Sequence, residues 1–506
     1  MILLDGRSLT LDQLLAIADD LAPVALAPEA ARRVDAARAV VDRKAAGDAP
    51  VYGINTGFGA LAETAIAHDA LGALQLNLLR SHAAGVGEPL PVRAVRASMV
   101  LRANVLAKGH SGIRRATLEQ FIELLNRRVH PVVPSRGSVG ASGDLAPLAH
   151  LALVLVGEGE ATVGSSDEVV PGRDALAAVG MTPVTLAPKE GIAIINGTQP
   201  SAAVAGLAVA GAERLARAAD FIAALSIDGL RGSMRPFDPR IHAARPYEGQ
   251  RASAANIRQL LEGSEINRSH ANCGRVQDAY SLRCAAQVHG AARDALRFVR
   301  ETVSIEANSG TDNPMVFADE DEIVSGGNFH GAPVSVASDL QAIAVAQLAT
   351  ISERRSDRLV NPALSGLAAF LTPNSGLQSG YMMAQVTAAA LVSEIKTLCH
   401  PASVDTIPTS ANREDHVSMS MGAALKASRV VYLATRVLAV ELLCAAQAID
   451  LLAPLKTSRA LQGAQESVRR VVPTLAEDRP PAPDIEAISI LIGNGTLESS
   501  CGIEVK

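Results

Sequence analysis

The middle and C-terminal parts of this 506-residue chain are dominated by segments whose apolar residues recur at helical spacing. Apolar side chains at i, i+3, i+4 and i+7 predict four long helices, over residues 201–227, 272–304, 335–359 and 423–455. Several of these segments are apolar around most of the helix circumference, so they need burial on all sides, in a large bundle or against other subunits. The pattern predicts an all-α protein with an elongated central bundle and obligate oligomerisation.

The N-terminal part of the chain has a more mixed pattern. Thr10 and Gln13 fit a capping box, in which each side chain bonds the backbone N–H of the other, so a first helix is predicted to begin there. Residues 30–45 also have a helical pattern, and helical periodicity dominates from 71 to 125.

The composition shifts to Val, Thr, Gly and Asp over 157–188, which predicts a small β-element, and a second small β-element is predicted over 315–324. We therefore expect two domains. Residues 1–200 form a smaller mixed N-terminal domain, and residues 201–506 form the long-helix bundle and the C-terminal helices.

Composition narrows the class of protein further. Aromatic residues make up only 3% of the chain and there is no Trp, which favours closely packed helices with small aliphatic side chains. The net charge of −6, without a basic run, excludes a nucleic-acid partner. The uncharged stretch 191–212 contains Asn196, Thr198 and Gln199, so we expect no membrane helix there.

The cysteines and the N-terminus indicate the compartment. Five cysteines are odd in number and widely scattered, which is typical of reduced thiols and not of a disulfide framework or a metal site. The chain begins with Asp5 and Arg7 and lacks the apolar core of a signal peptide. We expect a cytoplasmic protein without a metal.

A run of small residues, Gly140-Ala141-Ser142-Gly143-Asp144, lies in a glycine-rich loop. On composition alone, the commoner interpretation is a tight turn before a helix. The run also has the elements of a backbone cyclisation. Gly143 offers an unhindered amide nitrogen, Ala141 a poorly covered carbonyl carbon, and Ser142 a hydroxyl whose loss leaves an exocyclic methylene.

A helix is predicted directly after this loop, because Asp144 and Pro147 precede an apolar run at 148–156. The N-terminus of such a helix would direct partial positive charge towards the loop. We expect this charge to stabilise electron density that develops on a cyclised group.

The segment from Ser138 to Leu148 resembles the signature of the aromatic amino acid ammonia-lyases, and the resemblance extends over nearly the whole chain. It implies that Ala141, Ser142 and Gly143 form a protein-derived 4-methylidene-imidazol-5-one, with no dissociable cofactor. It also implies the fold of the fumarase/aspartase-like superfamily and a homotetramer with active sites shared between subunits. The serine-rich Gly-Ser-Ser loop of the fumarase-type lyases themselves is not found.

A cationic clamp for a substrate carboxylate is predicted around Arg283. On a helix, Gln277, Tyr280 and Arg283 fall within about 120° of arc, so all three could face one cavity. An Arg fork can bind a carboxylate through two hydrogen bonds, although a solvated helix face is an alternative interpretation. The segment resembles the substrate-binding helix of the family, with Tyr280 as a second catalytic phenol that relays a proton.

Tyr52 is the candidate base, in a loop predicted at 51–60 because glycines interrupt the helical pattern. An ordinary Tyr titrates near pH ~10, so the site must lower the pKa or the enzyme must work best in alkali. In the family, the Tyr of this loop removes the β-proton. By the same resemblance, Asn196 binds the imidazolone oxygen or the substrate, and Phe329 lies next to the electrophile, although a turn amide and a core Phe are the alternatives.

The choice of amino acid depends on His82 and Glu414. Ser81-His82 resembles the histidine-acting members, and either side chain could exchange a hydrogen bond with an imidazole, whereas a carboxylate facing a phenyl ring would be desolvated without a partner. Arg413 stands where the family usually has Gln, so we expect it to lower the pKa of Glu414 and to orient it away from the substrate. Ala279 and the segment 288–290 also depart from the histidine-acting pattern.

The predicted reaction is the elimination of ammonia from L-histidine to give trans-urocanate. The alternatives are a tyrosine or phenylalanine ammonia-lyase, or a 2,3-aminomutase that uses the same electrophile. A further alternative is a non-catalytic helical oligomer that keeps the lyase fold as a scaffold.

Overall fold

The computed structural model describes residues 1–47, 49–271, 273–274 and 276–502. The structure is helical, with a few short strands. The helices of the first 200 residues are α1 (Leu11–Ala18), α2 (Pro28–Ala45), α3 (Leu71–His82), α4 (Val92–Ala107), α5 (Arg115–Asn126), α6 (Leu145–Leu155), α7 (Gly172–Ala178) and α8 (Glu190–Ile195).

The later part of the chain carries the long helices. These and the shorter helices between them are α9 (Gln199–Gly229), α10 (Pro239–Ala243), α11 (Glu248–Leu261), α12 (Glu265–Ser269), α13 (Tyr280–Arg283), α14 (Ala285–Glu306), α15 (Ala332–Val360), α16 (Pro362–Ser365), α17 (Met382–Leu398), α18 (Ser420–Leu451), α19 (Arg459–Val471), α20 (Ala482–Gly493) and α21 (Thr496–Ser500). Single 3₁₀ turns lie at Gly59–Leu61, His68–Ala70, Arg235–Phe237, Ala369–Leu371 and Ser410–Asn412.

Short strands form four small sheets in the described part of the chain. The strands are β1 (Ile2–Leu4), β2 (Val24–Leu26), β3 (Val86–Pro89), β4 (Val129–Pro131), β5 (Pro134–Arg136), β6 (Glu160–Val163), β7 (Val170–Pro171), β8 (Met315–Phe317) and β9 (Glu322–Val324). Strands β1 and β2 pair in parallel, whereas β3–β5, β4–β6–β7 and β8–β9 are antiparallel. Both predicted β-elements are therefore present. The strands are few and short beside the helices, so the predicted all-α class is confirmed.

The chain divides into two compact units. Unit 1 comprises residues 1–207, 300–339 and 401–425, and unit 2 comprises residues 208–299, 340–400 and 426–506. Unit 1 therefore contains two segments from later in the chain, 300–339 and 401–425. A division at residue 200 places both of these segments in the second domain. These two segments carry Phe329 and Glu414.

Local signals explain where several helices begin and end. Helix α1 starts with the predicted capping box, since Gln13 N donates to Thr10 Oγ1 (3.1 Å) and Thr10 N donates to Gln13 Oε1 (3.0 Å). Three of the four predicted long helices lie within four residues of α9, α15 and α18 at both ends. The fourth prediction, 272–304, was wrong in extent. Asn272 lies outside the described residues, and the chain forms the short helix α13 before α14 begins at Ala285.

Apolar burial accounts for the length of the longest helices. Helices α15 and α18 are long and apolar enough to cross a membrane, but 72% and 78% of their apolar windows are buried inside the protein, as in helices of a protein core. In unit 1, a core cluster of Ala37, Val40, Val41, Ile54 and Val316 joins α2 to the loop after it and to β8. This cluster fixes the start of the loop that carries Tyr52.

Candidate active site

The loop from Ser138 to Asp144 is held by hydrogen bonds within the loop and by hydrogen bonds from Ser418 and Met419, all in unit 1. Ser138 Oγ donates to Asp144 Oδ1 (2.6 Å) and accepts from Gly140 N (3.1 Å). Ser418 Oγ donates to the Gly140 carbonyl (2.9 Å), and Met419 N donates to the Val139 carbonyl (2.7 Å). The backbone that precedes the predicted electrophile is therefore fixed before any cyclisation.

Gly143 lies directly against Gly197. Its φ is +73°, and a Cβ built on it would lie 2.3 Å from the Gly197 carbonyl oxygen. Asp144 N donates to the same carbonyl (2.8 Å). In the described part of the chain, no hydrogen bond engages the Gly143 amide nitrogen or the Ala141 carbonyl oxygen. The nitrogen that would attack and the carbonyl group that it would attack therefore have no competing hydrogen bond among the described residues, and only a glycine fits at position 143.

Asp144 directly precedes helix α6, but its carboxylate bonds to other elements of unit 1. The Asp144 side chain makes no capping hydrogen bond to α6, although α6 begins at Leu145 as predicted. Its Oδ2 accepts from Ser201 N (2.8 Å), in the first turn of α9. The carboxylate thus ties the loop to α9, which an apolar pattern along α6 does not reveal.

Ser142 and Glu414 are in direct contact although they are 272 residues apart in sequence. In the unmodified chain, Ser142 Oγ donates to Glu414 Oε1 (2.7 Å). The other carboxylate oxygen of Glu414 accepts from Thr409 Oγ1 (2.6 Å) and Ser410 Oγ (2.9 Å). These three hydroxyls orient the carboxylate towards the loop of small residues.

Burial raises the pKa of Glu414, but the hydrogen bonds from Thr409, Ser142 and Ser410 outweigh it, so the pKa lies below its usual value. Arg413 is exposed and is not among the causes of this shift. The pKa of Glu414 is thus lowered, as expected, but Arg413 does not account for the shift. Hydroxyl groups stabilise the ionised carboxylate, and they hold it at Ser142.

Tyr52 is half-buried in the loop that follows α2, and the predicted loop is present apart from a 3₁₀ turn at its end. Gly59 N donates to Tyr52 Oη (3.4 Å), and the Tyr52 ring packs edge-on against Phe58 at 6.2 Å. Burial raises the pKa of Tyr52, and the negative charge of Glu414 raises it further. A raised pKa favours activity in alkali over a lowered pKa as the way in which Tyr52 could act as a base.

His82 ends helix α3 with a defined tautomer. Its Nδ1 lies 2.9 Å from the Leu78 carbonyl oxygen and 3.0 Å from Ser81 Oγ. Because a carbonyl only accepts, Nδ1 carries the proton in neutral His82, and Nε2 is left as an acceptor. Burial lowers the pKa of His82, while the Leu78 carbonyl and the charge of Glu414 act in the opposite direction.

Asn196 follows α8 and is almost completely buried. Its Nδ2 donates to the Asn313 carbonyl oxygen (2.8 Å), whereas its Oδ1 has no hydrogen-bond partner in the described part of the chain. Its backbone carbonyl accepts from the buried Arg102 (2.8 Å). Asn196 is therefore held rigidly with one buried acceptor unsatisfied, a state that costs free energy unless a donor is supplied.

Phe329 lies in unit 1 and is half-buried, not a core side chain. Two residues further on, Gly331 N lies 3.5 Å from the Gly140 carbonyl, in the loop of small residues. The intervening His330 stacks on His416 with ring centroids 5.7 Å apart. The chain that carries Phe329 is thus attached both to the electrophile loop and to the segment after Glu414.

Gln277, Tyr280 and Arg283 belong to unit 2. Only Tyr280 and Arg283 lie on a helix, α13, so the expectation that all three share one helix was wrong. The Arg283 guanidinium carbon lies 4.6 Å above the Tyr280 ring, and its buried Nε has no hydrogen-bond partner among the described residues. Gln277 and Arg283 both line a cavity of about 940 Å³ within unit 2, together with other residues that include Arg231, Arg235, Arg268 and Asp278.

The sequence interpretation missed the groups that orient the predicted site residues. Thr409 and Ser410 bind Glu414, and Arg102 binds the Asn196 carbonyl. A partial signal exists for the hydroxyls, since Thr409 and Ser410 come shortly before Glu414. No local pattern marks Arg102 on α4, although its side chain is completely buried.

The comparisons with known proteins agree with this geometry. A family model described as aromatic amino acid lyase matches residues 9–470. The chain is 58% identical to the histidine ammonia-lyase of Anaeromyxobacter dehalogenans (strain 2CP-C), over 98% of this chain and 99% of that protein. It is 56% identical to the histidine ammonia-lyase of Myxococcus xanthus (strain DK1622), over 98% of this chain and 97% of that protein.

Solved structures extend the comparison to the fold. The histidine ammonia-lyase from Trypanosoma cruzi aligns with a TM-score of 0.93 at 45% identity, covering 99% of this chain and 94% of that chain. A tyrosine aminomutase from Streptomyces globisporus aligns with a TM-score of 0.95 at 37% identity, covering 100% of both chains. With the family match over most of its length and these relatives, the chain belongs to the aromatic amino acid lyase family.

Proposed function

We propose that this protein is a carbon–nitrogen lyase that eliminates ammonia from L-histidine to give trans-urocanate. The observation that carries the proposal is the contact between Ser142 and Glu414. It brings the residue that would bind an imidazole to the side chain that would become the electrophile. The identity of 51–58% to curated histidine ammonia-lyases over almost the whole chain supports the same substrate.

The residues of the loop fit a protein-derived imidazolone made from Ala141, Ser142 and Gly143. The amide nitrogen that would attack has no hydrogen bond to any described residue, and position 143 has no room for a side chain. Such a group would supply an electrophilic methylene that withdraws electrons from the substrate. The chain's own residues must then bind the substrate, orient it and move its proton.

Tyr52 is the proposed base for the β-proton of the substrate. A phenolate is required for this role, and both burial and Glu414 raise the pKa of Tyr52. Catalysis is therefore expected to increase with pH as the phenolate forms. Tyr280 is proposed as the second phenol, which relays a proton.

Arg283 is the proposed clamp for the substrate carboxylate. Its Nε is buried without a partner among the described residues, and an anion would supply the missing acceptor. Gln277 lines the same cavity and would add a neutral hydrogen bond. Asn196 Oδ1 is proposed to accept from the substrate amino group, because no described residue donates to that buried acceptor, whereas an imidazolone oxygen could not donate to it.

His82 and Glu414 are the proposed imidazole-binding pair. Neutral His82 presents Nε2 as an acceptor, and ionised Glu414 is an acceptor too. A protonated or N–H-bearing imidazole offers donors to such a pair, whereas a phenyl ring offers none. Phe329 is proposed to contact the substrate next to the electrophile.

The reaction is tested by incubating the purified protein with L-histidine, L-tyrosine and L-phenylalanine, and by following ammonia and the ultraviolet absorbance of each unsaturated acid. Urocanate with one ammonia per histidine supports the proposal, and faster release from tyrosine or phenylalanine overturns the substrate. Tyr52→Phe is expected to lose turnover. Its intact mass should still show the loss of two water molecules that ring formation expels.

The tyrosine aminomutase with a TM-score of 0.95 favours a 2,3-aminomutase as the second candidate function. An aminomutase would move the amino group from the α-carbon to the β-carbon. Chromatography of the same reaction would then give a β-amino acid in place of free ammonia. The non-catalytic scaffold is recognised by an intact mass that keeps both waters.

We also propose a homotetramer with shared active sites and a cytoplasmic location. Large apolar side chains are exposed on single helices, among them Met383 and Val386 on α17. Such surface is typical of a protein interface. All five cysteines are free thiols, in keeping with a reducing compartment. Light scattering after gel filtration tests the assembly, and a monomer would contradict it.

A further inference from the structure

The segment that carries Arg283 and Tyr280 has little rigidity of its own. Helix α13 is only four residues long, and a single helical turn is unstable without tertiary contacts. Three contacts within unit 2 fix it. Asp278 Oδ2 accepts from Ser233 N (2.7 Å), Leu282 is buried, and the Ser281 carbonyl accepts from Arg355 Nη1 (3.3 Å).

Arg355 is itself fixed by a completely buried ion pair. On α15, its Nε and Nη2 donate to the two carboxylate oxygens of Glu441 on α18, at 2.5 and 2.9 Å. Ser226 Oγ on α9 also donates to Glu441 Oε1 (2.6 Å). Arg355 and Glu441 are both 0% exposed, so water does not compete for the hydrogen bonds between them.

A buried ion pair is a weak source of stability, since the cost of desolvating two charges offsets their attraction. An ion pair can nevertheless fix a direction, which an apolar contact cannot. When a carboxylate binds two nitrogens of a guanidinium, the remaining N–H groups of that guanidinium point in a fixed direction. Here the remaining Nη1 is directed at the backbone of α13. Through this ion pair, the position of the turn that carries Tyr280 and Arg283 depends on the position of the long helices α15 and α18.

We propose that Arg355, oriented by Glu441, is a positioning residue that fixes helix α13 and thereby the guanidinium of Arg283. The inference rests on the proposed function, in which Arg283 binds the substrate carboxylate. Arg355 acts through the Ser281 carbonyl and not by contact with the substrate. Its loss should weaken recognition of the carboxylate and leave recognition of the imidazole unchanged.

The test uses the double variant Arg355→Met/Glu441→Met in the full-length protein. Removing both charges together avoids leaving one buried charge without a partner, which would be strongly destabilising. We expect the KM for L-histidine to rise about tenfold, and the loss of two waters in the intact mass to persist. The inhibition constant of histamine, which lacks the carboxylate, should stay within about twofold.

A second cycle separates positioning from general damage. In the Arg283→Met background, adding the Arg355→Met/Glu441→Met change should raise KM by less than about twofold, because the clamp is already absent. The matched control is Arg217→Met/Glu498→Met, which removes another ion pair of unit 2 (3.2 Å) outside the segment 277–284. This control is expected to leave both KM and the histamine constant unchanged.

Three results would overturn the inference: an unchanged KM in the double variant, an equal loss of affinity for histamine, or a full tenfold effect in the Arg283→Met background. Should the double variant not fold, Arg355→Lys replaces it, since a Lys keeps the charge but cannot contact Glu441 at two points and Ser281 as well. The same outcomes then decide. If the wild-type protein acts on tyrosine, tyrosine and tyramine replace histidine and histamine. If it releases no ammonia at all, the proposed function fails and the inference falls with it, whereas normal wild-type turnover with an unaffected variant overturns the inference alone.

Discussion

Replacing Gly143 by Ala tests whether the close approach of Gly143 to Gly197 is required to make the electrophile. A Cβ at position 143 would lie 2.3 Å from the Gly197 carbonyl oxygen and 2.4 Å from its carbonyl carbon. Ordinary contact begins at 3.4 Å, so the two backbones must separate by about 1 Å. Both contacts are with backbone atoms, which cannot rotate away as a flexible side chain can.

The free-energy cost follows from two terms. A residue with a Cβ pays about 1–2 kcal/mol at a φ of +73°. Separation also breaks the hydrogen bond from Asp144 N to the Gly197 carbonyl, whose net contribution is about 1 kcal/mol. The sum of roughly 2–3 kcal/mol is smaller than the ~5–15 kcal/mol by which native proteins are stable. The variant is therefore expected to fold with a displaced loop.

A displacement of about 1 Å is enough to spoil a reaction that depends on alignment. We expect Gly143→Ala to keep the two waters that the wild-type chain loses, and to show no ammonia-lyase activity. Intact-mass spectrometry and peptide mapping over residues 141–143 measure this directly. Gly326→Ala is the matched control, since a Cβ there would meet nothing within 4 Å and its φ is not in the left-handed region. A variant at position 143 that loses both waters at the wild-type rate would refute the reasoning.

Three further predictions concern charge and selectivity. Glu414→Gln removes a negative charge that raises the pKa of Tyr52, so the rise of kcat/KM with pH should move to lower pH. An unchanged pH profile of kcat/KM would exclude Tyr52 as the titrating base. His82→Leu removes the Nε2 acceptor, and the ratio of kcat/KM for histidine over tyrosine should fall at least tenfold; an unchanged ratio would place substrate selection elsewhere. Burial, with the charges of Arg96 and Arg128, lowers the pKa of His130 from 6.5 to about 4. Between these two pH values the unfolded state binds more protons at His130, so the contribution of His130 to stability should fall by up to about 3 kcal/mol as the pH drops from 6.5 to 4, and this contribution should change no further below pH 4. His130→Gln should flatten this dependence in urea unfolding, and an equally steep loss in the variant would contradict the assignment.

The sequence was most informative where structure is decided locally. Apolar periodicity places α9, α15 and α18 to within a few residues, because a long helix buried on most sides must repeat its apolar residues at the helical period. The capping box at Thr10 and Gln13 is likewise a local arrangement, and it is present. The run of small residues at 140–144 also reports a local steric need, which the approach of Gly197 explains.

Local pattern was misleading where a contact distant in the sequence decides the geometry. Arg413 is the neighbour of Glu414 in the chain, and it was expected to control that carboxylate. The carboxylate is instead held by Ser142, 272 residues away, and by hydroxyls that the bend at 409–414 folds back onto it. A charge adjacent in sequence can point to solvent at almost no cost, whereas a half-buried carboxylate must find donors wherever the fold supplies them.

The segment 277–283 shows the same limit for secondary structure. Helical spacing there suggested that Gln277, Tyr280 and Arg283 share one face, yet only the last four residues are helical. Asp278 helps to explain the difference, because its carboxylate accepts from Ser233 N, and residues 276–279 around it are not helical. A four-residue turn then depends on tertiary contacts for its position. For this reason the placement of the proposed clamp could be derived only from the structure, from the buried Arg355 and not from the periodicity around Arg283.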